Sequence, residues 1–424
     1  EYPPVSLIIQ DELHLVSGPL GSLAGVYETA VESLCSGEDS KPHIIASAAT
    51  VRRADEQCMA LYGRHVRLFP TPGLDESDNF FSVKDNKRAG RTFMGVMAPH
   101  VSATTAAVRT HAILLQAPKE AEITEDTSDA YWTLVSYFNS VKELGVSTTL
   151  AADDIPDRLK VLQRDPDVCR QITENDFTDL YSQKTGAELN DILARLEQAK
   201  DCENSLGLLL TTNIISVGID VERLGLMLVN GQPKASSEYI QATSRVGRGI
   251  QMPGLIVTLY GATKPRDRSH YENFVSYHST LYTCVEPSSV TPYSKPSRDR
   301  ALHAAMVIMA RNLSERLSGN EDARQIREHD TEVEQIKEII MKRLAQVAPD
   351  EREDTVRELE FKFEKWYEWA GQVLYYDVRD HTVITSLLHR EITPDDSKKG
   401  WRTLDSMRSV DYETRIVIEG DPTL

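Results

Sequence analysis

The eight residues at positions 7–14, with the sequence LIIQDELH, decide the fold class of this 424-residue chain. Three apolar residues that favour strands are followed, after Gln10, by two adjacent carboxylates, Asp11 and Glu12. A helix-like stretch at 21–34 and a second short apolar run at 43–46 follow. Strands separated by helical segments of this length predict a parallel sheet with crossover helices. Because ligands bind at the carboxyl ends of such strands, we expect Asp11 and Glu12 at a ligand-binding edge.

The alternation of strands and helices occurs twice along the chain, which predicts two α/β domains. The first covers residues 1–118 and the second residues 130–290, with predicted strands at 92–97, 206–210, 225–229 and 255–259. Residues 119–129 are acidic and polar, which favours an exposed linker, although a surface loop inside one domain fits nearly as well. In residues 291–424, apolar side chains recur at helical spacing among charges, so a mostly helical region is predicted.

The composition is acidic, since 65 Asp and Glu against 47 Lys and Arg leave a formal net charge of −18. This charge argues against a broad basic surface for nucleic acid, because neutralising phosphates requires Lys and Arg. A confined basic groove stays compatible, since residues 321–370 alone hold 15 acidic and 9 basic residues. No apolar run approaches the roughly 18 residues of a membrane span, so we expect no membrane partner.

The five cysteines are scattered and form no CxxC pair, so no zinc or dithiol spacing is present in the sequence. Such a pattern fits reduced thiols and predicts a cytoplasmic location.

Hydroxyl residues follow the second predicted strand, in the segment from Ser47 to Thr50. A hydroxyl at this place can hydrogen-bond to a neighbouring acid and relay its state. An acid after the first strand can hold Mg²⁺ beside nucleotide phosphates, and the next acid can deprotonate an attacking water. Asp11 is therefore the candidate magnesium ligand and Glu12 the candidate base. Each pattern alone also fits a solvated turn or a helix cap.

Two further polar segments follow strands of the second predicted domain. Thr212 and Asn213 come directly after the run at 206–210, and Gly218 and Asp220 follow closely. Hydroxyls and backbone N–H groups at a strand end suit a nucleic-acid phosphate, and Asp220 can accept a ribose hydroxyl. The alternative is a turn that Asp220 merely caps.

The last segment runs from Glu238 to Arg248 and carries two arginines three positions apart, Arg245 and Arg248. At that spacing two planar guanidinium groups can bind a γ-phosphate and stabilise the charge of phosphoryl transfer. Most arginine pairs at this spacing lie on a solvated helix surface, so the pair alone is weak evidence.

The order of these segments is much more specific than any one of them. Asp-Glu-x-His, then Ser-Ala-Ala-Thr, then Thr-Asn with Gly-x-Asp, then Gln-x-x-x-Arg-x-x-Arg resembles motifs II, III, V and VI of the superfamily-two helicases over residues 1 to about 260. The resemblance implies two RecA-like lobes, the first truncated, followed by a mostly helical accessory region. It also implies ATP and Mg²⁺ as cofactors, nucleic acid as partner, and movement along that strand coupled to ATP hydrolysis between the lobes.

The resemblance also implies roles residue by residue. Asp11 corresponds to the magnesium-site acid, Glu12 to the catalytic base, and Thr212 with Asn213 to nucleic-acid contacts. Residues that couple nucleotide state to lobe movement are His14, Ser47 and Thr50. Gly218 and Asp220 correspond to the motif V turn and its acid. Motif VI is represented by Gln241 on the nucleotide side and by Arg245 and Arg248 as arginine fingers, with Ser244 in place of a common glycine.

Within that superfamily the chain is most similar to the helicase component of the DISARM phage-defence system. The segments that carry this finer resemblance are 131–140, 230–234, 285–292 and 406–411. It implies action on DNA, in anti-phage defence, together with a second protein of the DrmB type.

One departure concerns the phosphate-binding loop. The chain has no GxxxxGKS or GxxxxGKT segment, whose backbone N–H groups and lysine hold the β- and γ-phosphates. The helicases place that loop before the Asp-Glu motif, so we expect this chain to be a fragment that is inactive alone. A non-catalytic nucleic-acid-binding or assembly module and an RNA-directed helicase stay open as alternatives. Polarity, sequence specificity and oligomeric state are not predicted.

Overall fold

The fold is taken from a computed structural model. It describes residues 5–37, 40–48, 53–71, 80–81, 85, 90–182, 184–216, 220–249, 252–286, 289–371, 375–377, 386–390 and 400–404. The chain divides into two compact units, one of residues 1–69 with 287–424 and the other of residues 70–286. We call them the first and the second unit.

The strands are all short and parallel to their neighbours. They are β1 (Leu7–Gln10), β2 (His43–Ala46), β3 (Thr92–Met97), β4 (Leu134–Phe138), β5 (Phe177–Leu180), β6 (Leu208–Thr211), β7 (Leu226–Asn230), β8 (Leu255–Tyr260), β9 (Leu388–Arg390) and β10 (Trp401–Thr403).

The α-helices lie between the strands and then succeed one another towards the end of the chain. They are α1 (Gly18–Cys35), α2 (Ala54–Tyr62), α3 (Ala103–Glu120), α4 (Glu125–Ala130), α5 (Val141–Ala152), α6 (Asp154–Leu162), α7 (Gly186–Glu197), α8 (Ser236–Thr243), α9 (Pro265–Glu272), α10 (Phe274–Ser279), α11 (Lys295–Ser297), α12 (His303–Leu313), α13 (Asp330–Val347) and α14 (Arg352–Trp369).

The second unit is built on a six-stranded parallel sheet with the strand order β3-β8-β7-β4-β6-β5. Strands β4 and β6 are buried along their whole length, which explains their continuous apolar sequences. Alternate residues of β4 face opposite sides: Leu134 packs with helices α3, α5 and α6, whereas Val135 packs with α7 and α8. The unit is therefore a three-layered α/β/α structure, and the predicted α/β class with parallel strands is confirmed.

The boundary between the units differs from the predicted one. Strand β3, which the sequence analysis placed in a first domain of residues 1–118, pairs with β8 along its whole length in the second unit. Residues 119–129, proposed as a linker to residues 130–290, hold the end of α3 and most of α4. They join two parts of one unit, as in the alternative of a surface segment. Composition could not distinguish a linker between domains from a surface segment within one domain, because both are exposed and therefore polar.

The first unit combines the two ends of the chain. Strands β1 and β2 form a two-stranded sheet, and helix α1 packs its apolar face against α12 and α13 in one core. Leu23, Val26 and Ala30 of α1 and Ile336 and Trp366 are all buried there. The region at 291–424, predicted to be mostly helical, contains the helices α11 to α14 and also the paired strands β9 and β10. It shares its core with residues 1–69 and is not a separate accessory region.

Among the described residues, no helix is long and apolar enough to cross a membrane.

Candidate functional site

The carboxyl ends of β1 and β2 lie side by side in the first unit. The Ser47 N–H donates to the Gln10 carbonyl at 2.9 Å, and the Leu13 N–H donates to the Ser47 carbonyl at 2.8 Å. These two bonds extend the parallel ladder past the last paired residues. They bring Asp11 and Ser47, predicted as neighbours, within contact distance.

Asp11 is an ionised carboxylate held by two donors. The Ser47 hydroxyl and the Glu12 backbone N–H, the latter at 2.9 Å, both donate to its Oδ1. The Ser47 hydroxyl, followed by the Glu12 N–H and the nearby His14, holds the pKa of Asp11 below its usual value. Both bonds are made to the same oxygen, Oδ1.

Glu12 adopts a backbone conformation that few residues other than glycine adopt, with φ 53° and ψ 43°. For an L-residue this conformation costs about 1–2 kcal/mol, and such strain is found at functional sites. The turn directs the Glu12 carboxylate towards His14, whose Nε2 lies 3.2 Å from Oε2. Glu12 is half-exposed whereas His14 is nearly buried, so the acid is accessible and its neighbour is not.

Gln57 on α2 stabilises this turn through hydrogen bonds, a role that the sequence analysis missed. Its side-chain amide donates to the carbonyls of Leu13 at 3.3 Å and Val16 at 2.8 Å. Gln57 is only 3% exposed, and Leu13 packs in the same small core as Leu61. The contacts span more than 40 positions, and no local pattern predicts them.

The residues proposed to contact nucleic acid lie at the end of β6. The Thr212 N–H donates to the Leu180 carbonyl at 3.3 Å, which continues the pairing of β6 with β5. Thr212 is 6% exposed, so its side chain faces the interior, whereas Asn213 is exposed at the start of a short 3-10 turn. Of this pair, Asn213 is therefore the accessible side chain. Gly218, and also Thr50 of the first unit, lie outside the described residues.

The acid of motif V and an arginine of motif VI form an ion pair. Arg248 Nη1 lies 2.7 Å from Asp220 Oδ1, and both side chains are substantially exposed. Gln241 lies on α8, and Arg245 is partly buried in the turn that follows it. The second unit thus brings together Asp220 and the arginine turn, which we define as residues 244–248.

Two glycines shape the arginine turn. Gly247 has φ +63°, and a Cβ built on it would lie 2.4 Å from the Gly254 nitrogen. The Gly247 N–H donates to the Leu224 carbonyl at 2.7 Å. Any side chain at 247 would therefore meet both an unfavourable φ and backbone atoms, so the glycine is required for the turn.

The donor set fits one Mg²⁺ ion in the first unit. No group of three or more His, Cys, Asp or Glu side chains is arranged to hold a metal ion in the part of the chain that the structure describes. Mg²⁺ keeps several waters and is often held by one or two carboxylates together with substrate phosphates. The exposed, ionised carboxylate of Asp11 at a strand end meets that requirement.

Comparisons with known proteins show which proteins this chain resembles. Residues 160–249 match the model of the helicase conserved C-terminal domain. The DISARM protein DrmA of Bacillus paralicheniformis is 39% identical over 434 residues, which cover 98% of this chain and 38% of DrmA. The chain therefore spans well under half the length of that relative.

Two solved structures of the DUF1998 helicase MrfA, one bound to DNA and one to DNA and AMPPNP, are 18% identical to this chain. They superpose with TM-scores of 0.50 and 0.52 over 72% and 74% of this chain, and 35% and 38% of the MrfA chains. At this identity the likeness concerns the fold, which is that of a RecA-like helicase. The predicted resemblance to the superfamily-two helicases, and within them to DrmA, is confirmed.

Proposed function

We propose that this chain is part of an ATP-dependent DNA helicase or translocase of anti-phage defence. The observation that carries the proposal is the placement of an ionised Asp11 and an accessible Glu12 at the carboxyl end of β1. The similarity to DrmA over nearly the whole chain supports the biological setting. ATP and Mg²⁺ are the proposed cofactors, in agreement with AMPPNP in a MrfA structure.

Each site residue has a proposed task in ATP hydrolysis. Asp11 binds Mg²⁺, and Glu12 orients the attacking water and accepts its proton. Arg245 and Arg248 bind phosphate oxygens, for which Arg248 exchanges its ion pair with Asp220. Gln241 and Gly218 serve the nucleotide side of the same motifs. His14, Ser47 and Thr50 relay the nucleotide state, since Ser47 already donates to Asp11.

The bound metal supplies charge neutralisation at the phosphates. Because the 424 residues contain no phosphate loop, we propose that they hydrolyse essentially no ATP alone and that a longer protein is the active form.

Nucleic acid is the proposed partner, with Asn213 and the Thr212 backbone among its contacts. DNA is favoured because both MrfA structures contain it. Contacts of this kind bind the phosphate backbone and read no base. A protein of the DrmB type is proposed as a second partner, and the cytoplasm as the location.

The test is ATP hydrolysis by a longer protein of DrmA length, with and without single-stranded DNA or RNA. We expect turnover that DNA stimulates more than RNA. Glu12→Gln should lower kcat by a factor on the order of 10²–10⁴ while ATP binding is retained, because only proton transfer is lost. Glu56→Gln, which removes an exposed acid of α2 paired with Arg53, is the matched control and should keep full activity.

Each other outcome has a defined meaning. Wild-type turnover in the Glu12→Gln protein would remove Glu12 as the base. Stronger stimulation by RNA would favour the RNA-directed alternative. DNA binding without any hydrolysis would favour a non-catalytic module, and robust turnover by residues 1–424 alone would contradict the proposed need for a phosphate loop.

A further inference from the structure

Helix α8, which leads into the arginine turn, is contacted at its two ends by side chains of opposite charge. At its first residue, the Glu286 carboxylate accepts from the Ser236 N–H at 2.8 Å and from the Ser236 hydroxyl at 3.0 Å. Beyond its last residue, the Arg91 guanidinium donates to the carbonyls of Ser244 at 3.0 Å and Val246 at 2.8 Å. An anion at the start of a helix and a cation at its end both complement the helix dipole.

The two contacting residues come from distant parts of the chain. Arg91 lies one position before β3, the first strand of the second unit, and Glu286 is the last residue of that unit. Residues about 195 positions apart in the sequence therefore contact the start of α8 and the turn that follows it. Ser236 is only 5% exposed. Its bonds to Glu286 therefore break only when the start of the helix opens locally.

The middle of α8 is held as well. The Tyr137 hydroxyl donates to Glu238 Oε1 at 2.5 Å, and the Tyr239 hydroxyl lies 3.0 Å from His278 Nε2. The helix body is thus fixed by the sheet and α10. In contrast, the two carbonyls that Arg91 binds lie beyond the last residue of α8, outside the hydrogen-bond ladder of the helix.

We propose that Arg91 is a positioning residue for Arg245 and Arg248, with Glu286 fixing the opposite end of the same helix. The inference rests on the proposed function, in which those two arginines bind phosphate. Arg91 binds the carbonyls on either side of Arg245, so its planar fork sets the direction in which the Arg245 side chain leaves the backbone. Burial lowers the pKa of Arg91, and the nearby charge of Arg248 lowers it further.

The test uses the longer protein of DrmA length and two readouts, steady-state ATP hydrolysis and amide hydrogen exchange. Arg91→Ala should lower kcat about tenfold or more, with less than about a threefold change in KM for ATP, because small displacements of a catalytic group cost rate before affinity. Amides of 243–249 should exchange faster, whereas those of β6 and β7 should not change. Arg91→Lys, which keeps the charge but not the fork, should fall between wild type and Arg91→Ala.

Arg195 offers a matched control in the same unit. Its guanidinium also donates to two backbone carbonyls, those of Asn204 at 3.2 Å and Asn175, and neither belongs to α8 or the arginine turn. Arg195→Ala should leave kcat and exchange at 243–249 unchanged. Glu286→Gln, a milder change at the other end of α8, should raise exchange at 236–239 and keeps the test informative if Arg91→Ala does not fold.

Failure of this inference differs from failure of the proposed function. A kcat of Arg91→Ala within twofold of wild type, or equal losses in Arg91→Ala and Arg195→Ala, would overturn the positioning role. If the wild-type protein hydrolyses no ATP, the proposed function fails. Exchange then decides alone, and unchanged protection of 243–249 in Arg91→Ala would overturn the role of Arg91.

Discussion

The acidic turn at 11–14 and the arginine turn at 244–248 each follow a regular element, but they are built differently. In the acidic turn, the strained residue is Glu12, a candidate catalytic residue itself. In the arginine turn, the positive φ falls on Gly247, between the two candidate arginines. The acidic turn thus keeps its strain on the reacting group, and the arginine turn places it on a residue without a side chain.

The supports of the two turns differ in the same way. Ser47 binds the Asp11 carboxylate itself, so it acts on the charge of the site. Arg91 donates to two backbone carbonyls of the arginine turn, so it acts on the course of the backbone. The comparison indicates that the acidic turn is tuned through the ionisation of its acid, and the arginine turn through the placement of its backbone.

The largest expected difference is between Asp11 of the acidic turn and Asp220, which pairs with Arg248 of the arginine turn. In the longer protein, Asp11→Asn should lower kcat by about 10²-fold or more, because the metal loses its only proposed protein carboxylate. Asp220→Asn should lower kcat by less than about tenfold, because Asp220 pairs with Arg248 in an exposed position, where ion pairs are weak. ATP turnover at saturating Mg²⁺ measures both. Equal losses in kcat would contradict the role of metal ligand that is proposed for Asp11 alone.

A second prediction concerns the pH dependence of the stability of the second unit, through a histidine of α3 that contacts β4. Burial lowers the pKa of His111 to about 4, and its Nε2 lies 2.8 Å from the Ser136 hydroxyl on β4. Between that pKa and the unfolded value of about 6.5, the unfolded chain binds the extra proton, so stability rises with pH. Acidification from pH 7 to 4 should therefore cost on the order of 3 kcal/mol through this group.

Urea unfolding midpoints at several pH values test this effect. His111→Gln should flatten the loss of stability between pH 6.5 and 4, although it lowers stability at pH 7. His100→Gln, at an exposed position of the same unit, should keep the wild-type pH dependence. If the unfolding midpoint of His111→Gln fell with acidification as steeply as that of the wild type, a buried neutral imidazole at His111 would be contradicted.

A third prediction concerns Gly247, which adopts the positive φ of the arginine turn without strain because it has no side chain. Gly247→Ala should destabilise the second unit by about 2 kcal/mol or more, since it combines an unfavourable φ with a backbone clash. Gly145→Ala in α5 is the control: no atom lies within 4 Å of its added Cβ, and it should stabilise by about 0.5–1 kcal/mol. Thermal unfolding measures both. A neutral Gly247→Ala would mean that the turn can adopt another conformation.

The smallest effect is expected for the hydroxyl that tunes the acidic turn. Ser47→Ala removes the main cause of the lowered Asp11 pKa, so the acidic limb of the pH–rate profile should move to higher pH. Turnover near pH 8, where Asp11 is ionised in both proteins, should change less than the limb. Ser47→Thr retains the hydroxyl and should keep the wild-type profile. If the acidic limb of the Ser47→Ala profile stays in place, the Ser47 hydroxyl does not act on activity through Asp11.

Much of the local structure was predictable because it depends on near neighbours in the chain. The strands at 43–46 and 92–97 are found at the predicted residues, and the helix-like stretch predicted at 21–34 lies within α1. Alternating strands and helices predicted the parallel pairing, and Asp11 and Ser47 meet because carboxyl ends of parallel strands share an edge. The order of the motifs predicted the resemblance that DrmA confirms.

The remainder depends on contacts between distant residues. The sequence of β3 does not predict its pairing with β8, and the sequence of α1 does not predict the core that it shares with α13. Thr212 matched a motif, yet the pairing of β6 with β5 buries its side chain. Gln57 and Arg91 act through hydrogen bonds to backbone carbonyls, and a carbonyl is present at every position of any sequence.

Residue types and their spacing therefore established the fold class, the family resemblance and the candidate chemical groups, because strand and helix periods and motif order are local properties. Tertiary structure decided where the two units divide, which candidate side chains are accessible, and which residues hold the acidic and arginine turns. These depend on burial and on backbone hydrogen bonds across tens to hundreds of positions, which only the folded chain brings within a few ångströms.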